Sequence, residues 1–277
     1  MNRFRFTAAC ALAAGLAACS SATDSPTGTP AFQLTSADSV QAVAVPAGQA
    51  ALGDLDVLNA LAASLNFDVA PAGGAAFDAA FDAAAACTLD SATYLHTCTS
   101  TLPNGLALVR TVEYFDSTGA PMLAFNDTTT ASANVVAKTS GVRTTGNGAD
   151  TVSRARTLTA TGLLGHNTTR TWNGTGSGTS SAYWTDSAAT RTAVTAENAT
   201  FTNVVVDLPR STHPYPASGV VTRVVSGAGT VVRNGTTRTF TFSRTVTVTF
   251  NGTEFVPMLV GTQAFTLDLA TGKVTKS

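Results

Sequence analysis

Apolar and polar positions change their period once along this chain, near residue 87. Before that point the spacing is helical. Leu55, Leu58, Ala62 and Leu65 follow Gly53-Asp54 and predict a short amphipathic helix over 54–65. Gly73-Gly74 breaks the chain, and a second helix is expected over 75–86, with Phe77 and Phe81 one turn apart and Asp78 and Asp82 beside them facing water. A weak alternation over 39–45 suggests a first strand ahead of both.

From Cys87 onward the period is two. Residues 106–115 read as a strand that ends in the turn Asp116-Ser117-Thr118-Gly119. Asn-Gly pairs at 104–105, 147–148, 173–174, 234–235 and 251–252 are turn signals, because both residues tolerate positive φ. The clearest strand is 237–250, where Thr or Ser fills every odd position. The even positions carry Arg238, Phe240, Phe242, Arg244, Val246, Val248 and Phe250. Fourteen alternating residues would extend about 45 Å, longer than ordinary strands, so the sheet is expected to coil or bend. Residues 265–269 and 273–276 predict a closing hairpin about Thr271-Gly272. The expected fold is mainly β: a large curved antiparallel meander, sandwich or half-open barrel, with one or two short N-terminal helices.

The first residues have a different character. Arg3 and Arg5 precede the apolar stretch 6–14, and Leu16-Ala17-Ala18-Cys19 closes it. The stretch is shorter than the roughly twenty residues a spanning helix needs. This arrangement resembles the lipobox of bacterial lipoproteins. The resemblance implies that residues 1–18 are a signal peptide and that Cys19 is lipidated as the first mature residue. Ser20 after the cysteine, where Asp would favour retention at the inner membrane, implies the outer membrane. Ser20 opens a small, polar, Pro- and Gly-punctuated stretch, so 19–38 is expected to be a lipidated cysteine and flexible tether. Residues 39–86 then form a small mixed or helical region, and 87–277 the β domain.

Export leaves Cys87 and Cys98 as a pair in an oxidising compartment. A hairpin turning around 91–94 pairs Asp90 with Leu95 and places Cys87 opposite Cys98, within disulfide reach. Closing this loop is expected to contribute about 3 kcal/mol. Only His96 lies near the two cysteines, which argues against zinc.

The remaining chemistry is sparse. His96, His166 and His213 have no partners at ligand spacing, and Gly174-Thr175-Gly176-Ser177-Gly178 lacks the Lys of a phosphate loop and the Ser of a nucleophile elbow. Glu113 and Asp116 lie near one strand end, and Trp172 with Trp184 would form a platform or pack in a core if their strands were neighbours. No catalytic residue, cofactor or metal is expected. A net charge of −1 hides an asymmetry: residues 19–150 hold twelve acids and three bases, residues 151–277 five acids and eleven bases. Either the acidic first part packs on the basic second part, both are solvated, or a basic sheet meets an anionic lipid or glycan. No nucleic-acid partner is expected. Within the row of 238–250, Arg244 must pair with an acid or reach water along its stem.

The segment running through Cys87, Asn104-Gly105-Leu106, Asp116-Ser117-Thr118-Gly119, Phe125-Asn126-Asp127 and Thr171-Trp172-Asn173-Gly174 resembles uncharacterised bacterial envelope lipoproteins. That likeness implies a place in the envelope and no activity. In organisation alone, helices before a broad meander on a lipobox anchor are similar to lipoprotein carriers of the Lol kind. The leading expectation is a non-catalytic binding or structural lipoprotein, anchored in the outer membrane and facing the periplasm or the cell surface. The alternative is a lipid or amphiphile carrier with a cavity under the helices, and an enzyme comes third.

Overall fold

The computed structural model describes residues 36–64, 86–145, 148–165, 167–187 and 189–277. Cys19 and the helix expected over 75–86 lie outside these residues, except Ala86, which begins a strand. The described chain opens with helix α1 (Ser36–Ser64). Thirteen strands follow: β1 (Ala86–Asp90), β2 (Leu95–Thr101), β3 (Ala107–Asp116), β4 (Pro121–Met122), β5 (Thr130–Thr145), β6 (Gly148–Thr161) and β7 (Thr169–Thr185) come first. They continue with β8 (Thr190–Asp207), β9 (Ser218–Arg233), β10 (Thr236–Thr249), β11 (Phe255–Val260), β12 (Gln263–Asp268) and β13 (Val274–Lys276). All form one antiparallel meander in sequence order, with β4 pairing only β3, and the sheet does not close into a barrel.

The expected strands are present within a residue or two. The expected strand over 39–45 is not: it belongs to α1, which begins at Ser36 and runs 29 residues with Pro46 inside it. The local sequence is Ala and Val at almost every position, so its apparent alternation carried little signal. Burial shows the true period. Gln41, Val45, Gln49, Leu52, Asp56 and Asn59 form the one less-buried stripe, spaced three or four residues apart.

That stripe is gripped from both flanks. Asn104, in the β2–β3 turn, donates to Asp56 Oδ2 at 2.6 Å, and Arg143 of β5 donates to the Gln49 carbonyl at 3.0 Å. From the other side Gln49 Nε2 donates to the Thr271 carbonyl at 3.2 Å, and Arg210 Nε donates to Asn59 Oδ1 at 2.9 Å. Gly48 lets the helix approach the β12–β13 turn, since a Cβ there would lie 2.5 Å from Val274 and 2.8 Å from the Gly272 carbonyl. The sheet therefore curls around the helix, and the remaining helix faces are buried. Val43, Leu58, Leu61, Leu108, Trp172, Val204, Val248 and Met258 belong to one continuous core.

Strands of 14 to 18 residues in β6–β10 exceed the usual length and need relief. Bulges between Trp172 and Gly174 and between Thr202 and Val205 supply it. Three of the five Asn-Gly pairs, at 104–105, 234–235 and 251–252, sit where one element ends and the next begins, and Asn147 lies outside the described residues. Asn173-Gly174 instead lies inside β7 at the first bulge, where Gly174 has φ +151° and a Cβ would lie 2.1 Å from the Thr157 carbonyl. The same backbone freedom serves a bulge as readily as a turn. The β1–β2 hairpin has the expected register, with Asp90 opposite Leu95 and Cys87 disulfide-bonded to Cys98.

Candidate functional site

Alternation fixes which side chains of β6–β10 face α1, and several of them are arginines. Arg154 and Arg156 of β6 and Arg223 of β9 point inward with 6%, 2% and 0% exposure. Glycines make the space they occupy. A Cβ at Gly176 would lie 2.3 Å from Arg156 Cδ, and one at Gly178 would lie 2.7 Å from Arg154 Cγ. The Gly-rich run 174–178 is thus no phosphate cradle; it is a strand segment cleared for two guanidinium groups from β6.

Two carboxylates meet these arginines. Asp54 comes from α1 and Glu197 from β8, both buried. Arg156 Nε donates to Asp54 Oδ1 at 2.8 Å and Arg156 Nη2 to Glu197 Oε1 at 2.6 Å. Arg156 Nη1 donates to the Ser177 carbonyl at 2.9 Å, and the guanidinium stands 5.9 Å from the centre of the Phe201 ring. Arg223 Nη2 donates to Asp54 Oδ2, and Arg154 Nε lies 3.2 Å from Glu197 Oε1. Burial pushes the Asp54 carboxyl up, yet Arg156, Arg223 and Arg154 together hold it below the ordinary aspartate range. Burial lowers Arg154, and Glu197 and Asp54 only partly offset it.

A second buried pair lies along the same wall, where Arg143 Nη2 donates to Asp150 Oδ2 at 2.9 Å. Burial raises the Asp150 carboxyl despite Arg154 and Arg143. Burial likewise pushes Asp56 up to about 6, against the opposing pull of Arg143 and the Asn104 hydrogen bond. A small cavity opens beside this network between Pro46 of α1, Arg154, Ser180, Thr195 and Glu197, with room for about one water-sized particle.

The outward face of the same strands is chemically opposite. Outward positions of β6 (151–161), β7 (169–185), β8 (190–202), β9 (218–232) and β10 (237–249) carry no Asp, Glu, Lys or Arg. Threonine dominates them. Thr157, Thr175, Thr200, Thr222 and Thr247 stand opposite one another across all five strands, in a ladder with steps of about 4.8 Å. Thr192 and Thr230 share a 2.7 Å hydrogen bond across β8 and β9. Val194, Tyr183 and Val224 are the large exposed apolar groups of this wall, at 61%, 50% and 48%.

Residues singled out in the sequence go to separate places. Cys19 and His166 lie outside the described residues. His96 Nε2 is 2.8 Å from the Leu123 carbonyl, with its ring edge-on to Tyr114, and His213 is an exposed loop residue. Asp116 is a turn residue whose carboxylate accepts from Thr118 and Ala120, which keeps it below the usual range. Trp172 and Trp184 are both on β7, not on neighbouring strands, and both are buried. Arg244 is exposed and donates to the adjacent Ser243 carbonyl at 3.0 Å, so it reaches water instead of pairing with an acid. The acid of the first part that does meet the basic second part is Asp54, bound by Arg156 and Arg223. Packing of the acidic part on the basic part is one of the three alternatives that the charge asymmetry leaves open; the residues that carry it are hidden in the sequence, because an inward arginine has the same alternation as an outward one. No known protein family, curated protein or solved structure matches the chain.

Proposed function

We propose that this chain is a lipoprotein anchored through Cys19 in the bacterial outer membrane, with a non-catalytic role in which the wall of β6–β10 faces a neutral, hydroxylated envelope polymer. The observation that carries this reading is the charge-free outer wall. Soluble protein surfaces ordinarily carry about a quarter to a third charged residues, and here five neighbouring strands expose hydroxyls, small side chains and a few apolar groups. Such a surface complements a glycan, whose own groups are hydroxyls and C–H faces. It offers little to an anionic lipid, since Arg154, Arg156, Arg170, Arg191 and Arg223 are buried and Arg233, Arg238 and Arg244, the other bases of these strands, share the inward alternation. The carrier alternative asks for an apolar chamber under the helix, and that space is filled by Leu58, Leu61, Trp172 and the arginine network.

Two measurements test the two halves of the proposal. Mass spectrometry of the mature N-terminus should find acylated Cys19, and Cys19→Ala should release the protein from membranes. A mature chain that begins elsewhere removes the anchor. Co-sedimentation of the anchor-free protein with an insoluble neutral glycan should exceed that with anionic lipid vesicles. Thr200→Glu, in the middle of the threonine ladder, should abolish glycan binding and leave the unfolding temperature nearly unchanged. Binding that survives this charge, or that prefers the vesicles, overturns the assignment of the wall.

A further inference from the structure

The outermost strands of the sheet, β1 and β13, are only five and three residues long. β10 offers a longer margin. It pairs β9 over all of 236–249 but β11 only from Val246 to Val248, so 236–245 has no strand on its other side among the described residues. The hairpin that starts β10 sets which groups face that gap. Arg233 and Thr236 close a two-residue turn, with φ of +51° at Asn234 and +74° at Gly235, so the even residues of β10 exchange their bonds with β9. The odd residues turn theirs the other way, and the Thr245 carbonyl accordingly accepts from Gly261 N–H at 2.8 Å. Thr237, Thr239, Thr241 and Ser243, all exposed, therefore present a row of N–H and C=O groups to an open edge.

Proteins ordinarily blunt such an edge with Lys, Pro or a bulge. The run 236–245 has no Lys, Pro, Asp or Glu, no bulge interrupts its pairing with β9, and Arg238 and Arg244 lie toward its ends. A bare edge of Thr and Phe is a template for another strand.

This edge fits itself. Antiparallel pairing that uses all four free residues sets Thr237 opposite the partner's Ser243 and Thr239 opposite the partner's Thr241, which fixes the two-fold axis at Phe240. Each such pair exchanges two bonds, about eight in all, close to the roughly ten direct hydrogen bonds of a typical interface. Phe240, half-buried in the single chain, then meets the partner's Phe240. Arg238 stands opposite the partner's Phe242 and Arg244 opposite the partner's Thr236, so no like charges are directly opposed. An axis at Thr241 would instead set Arg238 against the partner's Arg244. Sheet pairing keeps equivalent faces on one side, so the charge-free walls of the two copies run on into each other.

We propose that two copies of this chain pair antiparallel along the 236–245 edges of β10, about a two-fold axis at Phe240, and join their sheets into one. The pairing goes beyond the role given to the wall and is tested without any glycan.

Sedimentation velocity of the detergent-solubilised full chain should show a reversible dimer at micromolar concentration. Thr241→Pro removes an N–H that faces the edge and leaves every bond to β9 in place, so the chain should fold and the dimer dissociation constant should rise at least about tenfold. Phe240→Cys puts two thiols at the axis, where opposed Cα atoms lie about 4.5 Å apart, and mild oxidation should yield a covalent dimer. Arg244→Cys, about 26 Å from its copy in this register, should yield none, like the parent. If Thr241→Pro fails to fold, the two cysteine variants carry the test. A monomeric parent, a dimer of unchanged affinity in Thr241→Pro, or equal cross-linking at 240 and 244 would overturn the proposal. The first of these would leave the edge to a strand of a different protein.

Discussion

The two faces of β6–β10 are built from the same strands and obey the same alternation, yet they treat charge in opposite ways. Inward rows bury Arg154, Arg156, Arg170, Arg191 and Arg223 among apolar side chains; outward rows hold no charge except Asp207, at the end of β8. A period of two assigns residues to faces and does not say which face is wet. Here the inward arginines are admitted because partners arrive from elsewhere in the chain. Asp54 reaches Arg156 across 102 residues and Arg223 across 169. Six of the eleven bases of residues 151–277 are therefore interior, and the outward rows of β6–β10 carry none of the eleven.

The sharpest way to break this contrast is to remove the shared partner. Asp54→Asn leaves Arg154, Arg156 and Arg223 to share the one carboxylate of Glu197 and should destabilise the fold by about 3–5 kcal/mol, measured by urea unfolding. A loss below about 1 kcal/mol would mean that the inner face is hydrated in solution and no different in kind from the outer one.

Asp56, one helical step away, should behave in the opposite sense. Its folded pKa of about 6 lies above the unfolded value near 3.8, so the folded state favours the protonated form. The resulting penalty is absent below pH 3.8, grows between pH 3.8 and 6, and is complete above pH 6. Asp56→Asn keeps an oxygen to accept from Asn104, should stabilise the protein at neutral pH by about 3 kcal/mol, and should remove the corresponding fall in stability between pH 4 and 6. Asp54 has the reverse linkage: its folded pKa is lowered, so its contribution is present above pH 3.8 and is lost as pH falls through that lowered value. Unfolding curves of parent and variant that remain parallel from pH 4 to 7 would refute the assignment for Asp56.

The glycines of β7 test whether the inner face depends on room as well as charge. Gly176→Ala places a methyl 2.3 Å from Arg156 Cδ and 2.8 Å from the Ala155 carbonyl, which is backbone and cannot turn aside. A loss of about 1–3 kcal/mol is expected. Gly105 has open space around its missing Cβ, so Gly105→Ala reports only the strain of its φ of +83° and serves as the control. Equal losses for the two would mean that Arg156 moves freely.

The strands were legible because Thr and Val alternate over long runs, and the Cys87–Cys98 register followed from the hairpin alone. The full length of α1 was not legible, because alanine is too neutral to mark a face and the helix is buried on nearly all sides. Asn173-Gly174 reads as a turn and forms a bulge, since both need the same backbone freedom. The inner network was hidden for a different reason. In β6 the row Val152, Arg154, Arg156, Leu158 mixes arginine with apolar residues, as Phe242, Arg244, Val246 does in β10. Only the position of Asp54, and the glycines of β7, distinguish a row that is buried throughout from one that is not.

That distinction gives the smallest expected effect and the most direct comparison. β10 pairs β11 only from Val246 to Val248, so Arg244 lies where β10 loses its second neighbour. Phe242 and Val246 on either side are buried, while Ser243, Arg244 and Thr245 are all exposed. The side chain is exposed, and among the described residues its hydrogen bond is to the neighbouring carbonyl. Arg244→Met should therefore change stability by no more than about 0.5 kcal/mol, whereas Arg156→Met, a similar exchange in a similar row, leaves Asp54 and Glu197 short of a cation and should cost several times as much. Arg244→Met as damaging as Arg156→Met would mean that Arg244 has a carboxylate partner in solution and that the inner network extends to the edge of the sheet.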